Sequence, residues 1–157
     1  MVRYLVLVLF LMIILSACDQ ETLDPLELEP SEAYDKAEAL KRGDLVSTAR
    51  GEGYKNKESF IEFFNNVQNG KEDRVRRTHY SEGIPLFTDL IYKGGKIHVL
   101  IDTTHATQSS EDYTKKTHDI CSELEKKEEK NKIIYTLNDC TSSSRQVEKI
   151  FSVIFER

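Results

Sequence analysis

Met1-Val2-Arg3, an almost purely apolar run from Tyr4 to Leu15, and then Ser16-Ala17-Cys18 open the chain. This segment limits what the rest can be. About 12 apolar residues fall short of the ~18–20 that cross a bilayer as a helix, but they fit the h-region of a signal peptide behind a short positive start. Setting residues 1–17 aside leaves 140 of the 157 residues, enough for one domain with a real core and too few for two.

Leu15-Ser16-Ala17-Cys18 resembles the bacterial lipobox. The resemblance implies cleavage between Ala17 and Cys18 and a thioether from Cys18 to diacylglycerol. Two acyl chains anchor stably where one binds only marginally. The expected address is the extracytoplasmic face of the cell membrane, with the membrane itself a partner through the lipid.

Charge divides the chain beyond Ala17 into two parts. Asp19, Glu21, Asp24, Glu27, Glu29 and Glu32 occur with no Lys or Arg among them, whereas from Ala33 onward 21 acidic residues balance 21 basic ones. Residues 18–30, stiffened by Pro25 and Pro30, read as an acidic flexible tether that an anionic membrane would repel and extend. Residues 31–157 read as a single domain close to neutrality, which argues against nucleic acid as a partner.

With Cys18 assigned to lipid, Cys121 and Cys140 remain. An even pair outside the cytoplasm is first a disulfide, and closing a loop of about 20 residues would stabilise by ~3 kcal/mol in the chain-entropy model. The alternative, a metal pair with His118 and Asp119, lacks the tight spacing of zinc motifs.

Two helices are predicted. Ser31 is a candidate N-cap for a first one, with Glu32, Tyr34, Ala37, Ala39 and Leu40 in register and Gly43 as its stop. After a strand from Asp44 to Ala49, Asn56 is positioned to cap a second with the stripe Phe60, Ile61, Phe63, Phe64 and Val67. The middle is β-rich. Arg74 to Tyr80 alternates, Ser81-Glu82-Gly83 turns, and Pro85 belongs at a strand start or edge. Gly94-Gly95 suits a two-residue hairpin pairing Tyr92 with Ile97, Leu90 with Val99 and Thr88 with Ile101.

Thr103 to Lys116 reads as a long exposed loop and Thr117 to Ser122 as a strand candidate. Glu123 to Lys132 is a dense charge run, within which Lys126-Lys127-Glu128-Glu129-Lys130 reads as a solvated turn or helix face, and a strand from Ile133 to Leu137 follows. Val147, Ile150, Phe151 and Ile154 favour a final helix, although Phe151, Val153 and Phe155 would equally suit a strand. The fold class expected from this pattern is α+β: a mainly antiparallel sheet with helices packed on one face.

The hairpin register places Asp89, His98 and Asp102 on one side of the sheet. A carboxylate orienting an imidazole is the core of many general-base sites, but no nucleophile elbow accompanies it. Arg76 and His79 from the preceding strand complete a candidate binding face of Arg76, His79, Asp89, His98 and Asp102. Arg forks match carboxylate and phosphate. No Walker loop, dinucleotide fingerprint or histidine pair at metal-binding spacing is present, so no catalytic residue, metal ligand or cofactor is assigned.

Gly43-Asp44-Leu45-Val46, the helix from Asn56 to Phe63, and His79-Tyr80-Ser81-Glu82-Gly83 with Pro85 and Asp89-Leu90 together resemble a Gram-positive lipoprotein family, the domain of unknown function 4362. Lys93-Gly94-Gly95-Lys96-Ile97, Asp102, Cys121, Tyr135, Leu137 and Cys140 fit the same resemblance, over roughly Glu32 to Cys140. Ile84 and His105 stand where the family pattern often carries acids, so a cation site built on those acids would be lost here. The resemblance implies a fold and an address and no activity. The expected role is a non-catalytic binding domain for a protein or cell-wall ligand. The alternative is a small hydrolase or anion-binding enzyme on the His98, Asp89 and Asp102 face.

Overall fold

The structure, a computed structural model, describes residues 32–49, 51, 53–106, 116–141 and 151–157. The expected signal segment, tether and Ser31 cap, the loop beyond Ala106, and Val147 and Ile150 of the expected final helix lie outside these residues.

The first helix, α1 (Lys36–Arg42), begins later than Ser31 would have set it. The Asp35 side chain caps it by accepting from the Glu38 amide, and Gly43 ends it in the left-handed conformation, φ 86°. Asp44 then leads into β1 (Leu45–Thr48). In α2 (Lys57–Gln68), Asn56 holds the N-cap position without a side-chain capping bond. Its amide instead donates to the carbonyls of Leu40 and Asp44, 3.0 Å each, tying the end of α1 and the start of β1 to the root of α2.

Five strands then run in sequence: β2 (Asp73–Ser81), β3 (Ile84–Lys93), β4 (Lys96–Asp102), β5 (Lys116–Glu128) and β6 (Lys132–Cys140), and β7 (Ser152–Glu156) comes last. All seven form one sheet in chain order, β1 to β7. Only β1 and β2 are parallel, which requires a crossover, and α2 lies in that connection. Pro85 sits at the second position of β3, before the stretch that β4 pairs, so no ladder bond is lost.

The expected layering of helices on one sheet face is not what forms. Among the described residues 55% are in strands and 18% in helices, and the sheet curls into a half-barrel. In a flat sheet, five strand spacings of about 4.8 Å would hold β2 and β7 about 24 Å apart. Yet the Arg77 guanidinium of β2 lies 5.8 Å from the ring of Phe151, which leads into β7. The main core fills the inside of this curl, where Leu45, Leu90, Ile97, Val99, Leu124, Leu137 and Val153 surround Phe60 and Phe63 of α2. The short α1 is on the other side, where Ala39 packs with Val46, Tyr80 and Tyr34. The two helices therefore serve opposite faces.

Two further expectations are corrected. The charge run is not a helix or a turn until Glu129, because β5 continues through it with Leu124 as its buried anchor. Charges two apart pair along the strand, Lys126 with Glu128 at 2.6 Å and Lys127 with Glu129 at 3.2 Å. The described part of the C-terminal segment, Ser152–Glu156, is a strand: Val153 and Phe155 are buried while Ile154 between them is 42% exposed. Cys121 and Cys140 face each other in the β5–β6 register and are joined as a disulfide, which takes both sulfurs out of any thiolate site.

Candidate functional site

Gly94 and Gly95 both have positive φ, 58° and 76°, the geometry of a type I′ turn whose twist matches its strands. The expected pairs form: Tyr92 with Ile97, Leu90 with Val99, Thr88 with Ile101. Asp89, His98 and Asp102 therefore share the sheet's outer side with Phe87, Ile91 and Leu100. Arg76 joins them because it lies opposite Asp89. His79 does not. It is three residues from Arg76, an odd step that reverses the face of a strand. His79 turns to the inner side, where its Nδ1 lies 3.0 Å from Ser47 Oγ.

Arg76 and Asp89 form a two-pronged pair, Nε to Oδ1 at 2.6 Å and Nη2 to Oδ2 at 2.7 Å. The guanidinium also lies 5.1 Å over the Phe87 ring. Burial works against its charge, but the Asp89 hydrogen bonds and field, helped by Tyr34, outweigh that and hold its pKa above the usual value. Next to it, buried Asp44 accepts from Tyr34 Oη at 2.6 Å and from Thr78 Oγ1 at 2.5 Å. Burial, then the Asp44 contact, pushes the Tyr34 phenol up. Tyr80 is pushed up to about 12 by burial, then by Tyr34 and Asp44. Arg42 of α1 closes the cluster, 4.5 Å over the Tyr34 ring.

Asp102 is occupied by a local turn. Its Oδ1 accepts from the Thr104 amide at 2.9 Å and the Thr104 hydroxyl at 2.6 Å. Burial raises its pKa, but these bonds and the Lys116 and His105 charges leave it below the usual carboxylate value. His98 meets another imidazole, not a carboxylate. Its ring stacks on His118 at 9° with Nδ1 to Nε2 at 3.2 Å. Burial, then the neighbouring His118 and Lys93, lowers the His98 pKa. Burial, then Arg77, lowers that of His79.

These two histidines give a pH prediction. Their folded pKa values lie below the ordinary ~6.5, so folding favours the neutral rings. That contribution is present above about pH 6.5 and is lost as pH falls toward the folded values. The denaturant midpoint will therefore decrease between about pH 7.5 and 5.5, and His79→Gln with His98→Gln will flatten the decrease. An equally steep decrease in the double variant would assign the effect to other groups. Asp102, with a lowered pKa, acts only in the more acidic window below about pH 4.

The available chemistry is set by these contacts. Both Asp89 oxygens are taken by Arg76, so Asp89 does not orient His98 and the two do not assemble a general base. A groove of about 410 Å³ opens between α2 and the β3–β5 end of the sheet, floored by Phe64, Val67, Tyr92 and Leu124. None of Arg76, His79, Asp89, His98 or Asp102 lines it. Among the described residues no three or more His, Cys, Asp or Glu side chains come together as a metal site. Sequence reasoning missed Tyr34, Asp44 and Thr78 because their cluster needs α1 placed against β2. It also missed the His118 partnership, which depends on the β4–β5 register that sets His118 opposite Leu100.

Fold and site together define a small, disulfide-stapled β half-barrel whose outer face carries internally satisfied ion pairs and one histidine pair. The chain belongs to the family described as Domain of unknown function (DUF4362), which matches residues 42–136. No curated protein and no solved structure matches it.

Proposed function

We propose that this chain is a lipid-anchored extracytoplasmic lipoprotein of a Gram-positive cell, a non-catalytic binding domain facing the cell wall. The observation that carries the non-catalytic reading is the Arg76–Asp89 pair: it consumes the carboxylate that a His98 base would need. What the outer face then offers is a fixed surface. Half-buried His98 and Leu100 and exposed His118 continue past the ion pair along β4 and β5. The address rests on Leu15-Ser16-Ala17-Cys18.

The anchor is tested by Cys18→Ala. The wild type will fractionate with membranes and begin at Cys18, and the variant will be unprocessed or released. An unchanged mature mass and membrane fraction would end the lipoprotein reading. Binding is tested by sedimenting the purified protein with washed cell walls. Wild type will co-sediment without releasing soluble fragments, and His98→Ala with His118→Ala will remain in solution. Release of wall fragments would favour the hydrolase instead, and equal sedimentation of the variant would remove this face from the proposal.

A further inference from the structure

Among the described residues two buried side-chain polar atoms have no hydrogen-bond partner, Thr48 Oγ1 and Arg77 Nε. A hydroxyl left over is a small deficit. For Arg77 the unpaired atom is Nε alone on a half-buried side chain, but it belongs to a group that stays charged in proteins and has no neutral form to retreat to. Arg76, its neighbour in sequence, shows the usual solution with both prongs on Asp89. Arg77 is aimed at the opposite side of β2, level with Leu45 on β1 and buried Thr88 on β3. Its side chain makes no hydrogen bond or ion pair to a described residue. Only two rings attend it, Tyr54 at 5.9 Å and Phe151 at 5.8 Å, near the outer limit for a cation over an aromatic face.

Its location matters as much as its lack of a partner. Arg77 stands where the curl brings β2 toward the start of β7, at the seam of the half-barrel. Two positions along the same side is His79, paired with Ser47. Arginine and a hydrogen-bonded imidazole–hydroxyl pair thus line one side of the seam, with no carboxylate among these three. We propose that Arg77 anchors an oxyanion-binding site at this seam, taking a carboxylate or phosphate group of a ligand, with the His79–Ser47 pair supplying one adjoining donor. The guanidinium fork suits either group. An anion seated there also offsets the Arg77 charge that now disfavours protonated His79. This site is on the other side of the sheet from the His98 surface, so it stands or falls separately from that reading.

The test uses the full chain purified in detergent, titrated with inorganic phosphate and, separately, with acetate, at constant ionic strength held by sodium chloride. Wild type will show a saturable rise in thermal midpoint with one or both anions, and the His79 ring will titrate at higher pH when saturated. The two arms separate phosphate from carboxylate preference. Arg77→Lys will weaken the response about tenfold, because an ammonium lacks the fork. Arg77→Met will abolish it while leaving the anion-free midpoint unchanged or higher, since a buried Nε donor without a partner has been removed. The proposal is overturned if wild type responds to neither anion, if Arg77→Lys responds like wild type, or if Arg77→Met lowers the midpoint equally with and without anion. The last result would make Arg77 only a packing element of the seam.

Discussion

Phe60→Ala will lower the unfolding free energy by about 3–5 kcal/mol, the range for emptying a fully packed aromatic site. Phe60 is 0% exposed. Its ring lies 6.4 Å from Phe63 on its own helix, 5.1 Å from Tyr135 on β6, 6.2 Å from Phe151 and 5.9 Å from Phe155 on β7. One side chain of α2 thus packs against the late strands within the core that fills the curl. Edge-to-face contacts of this kind add about 0.5–1.5 kcal/mol beyond area burial. Ile61, the next residue, is 39% exposed, so Ile61→Ala will change stability by no more than about 0.5–1 kcal/mol. Urea midpoints of the two variants provide the comparison. Equal losses would mean that α2 does not fill the half-barrel.

How far the sequence anticipates this architecture depends on whether the signal is local. The β3–β4 hairpin is legible to the residue, because Gly94-Gly95 fixes the turn and alternation fixes the register. The amphipathic stripe of α2 and the cysteine pair are legible for similar reasons. The curl is not. It comes from strand twist accumulated over seven strands and from Phe60 meeting Phe151 and Phe155, some ninety residues away. The far half of β5 is hidden for another reason. Beyond Leu124 its side chains are exposed on both faces, so no period-2 apolar signal exists, only charges that resemble a solvated helix. The last segment carried both periods, and the sheet edge offered by β6 decided for the strand. Of the candidate face, the strand parity within Arg74 to Tyr80 was enough to separate His79 from Arg76. What parity could not reveal is that Asp89 would be claimed by Arg76 before it could serve His98.

Asp89→Ala will destabilise the protein by about 3 kcal/mol, the low end of the cost of stranding one partner of a buried ion pair. The reduction reflects partial solvent access, with side-chain exposures of 21% for Arg76 and 16% for Asp89. The loss arises because the Arg76 charge stays beside Phe87 with its two strongest acceptors gone. Arg76→Met with Asp89→Leu removes both charges and leaves apolar bulk, so the double variant will recover most of the loss. A double-mutant cycle with Arg76→Met and Asp89→Leu alone will show a coupling of about 2 kcal/mol. The same variants decide what the face is for. If Asp89 orients a catalytic imidazole, Asp89→Ala will move the His98 titration, whereas a purely structural pair leaves it in place, since the influences on His98 are burial, His118 and Lys93. A small stability loss joined to a displaced His98 titration would restore the enzyme reading. A large loss with an undisturbed His98 marks the pair as a cross-strand clamp between β2 and β3, holding still the surface on which His98 and His118 are presented.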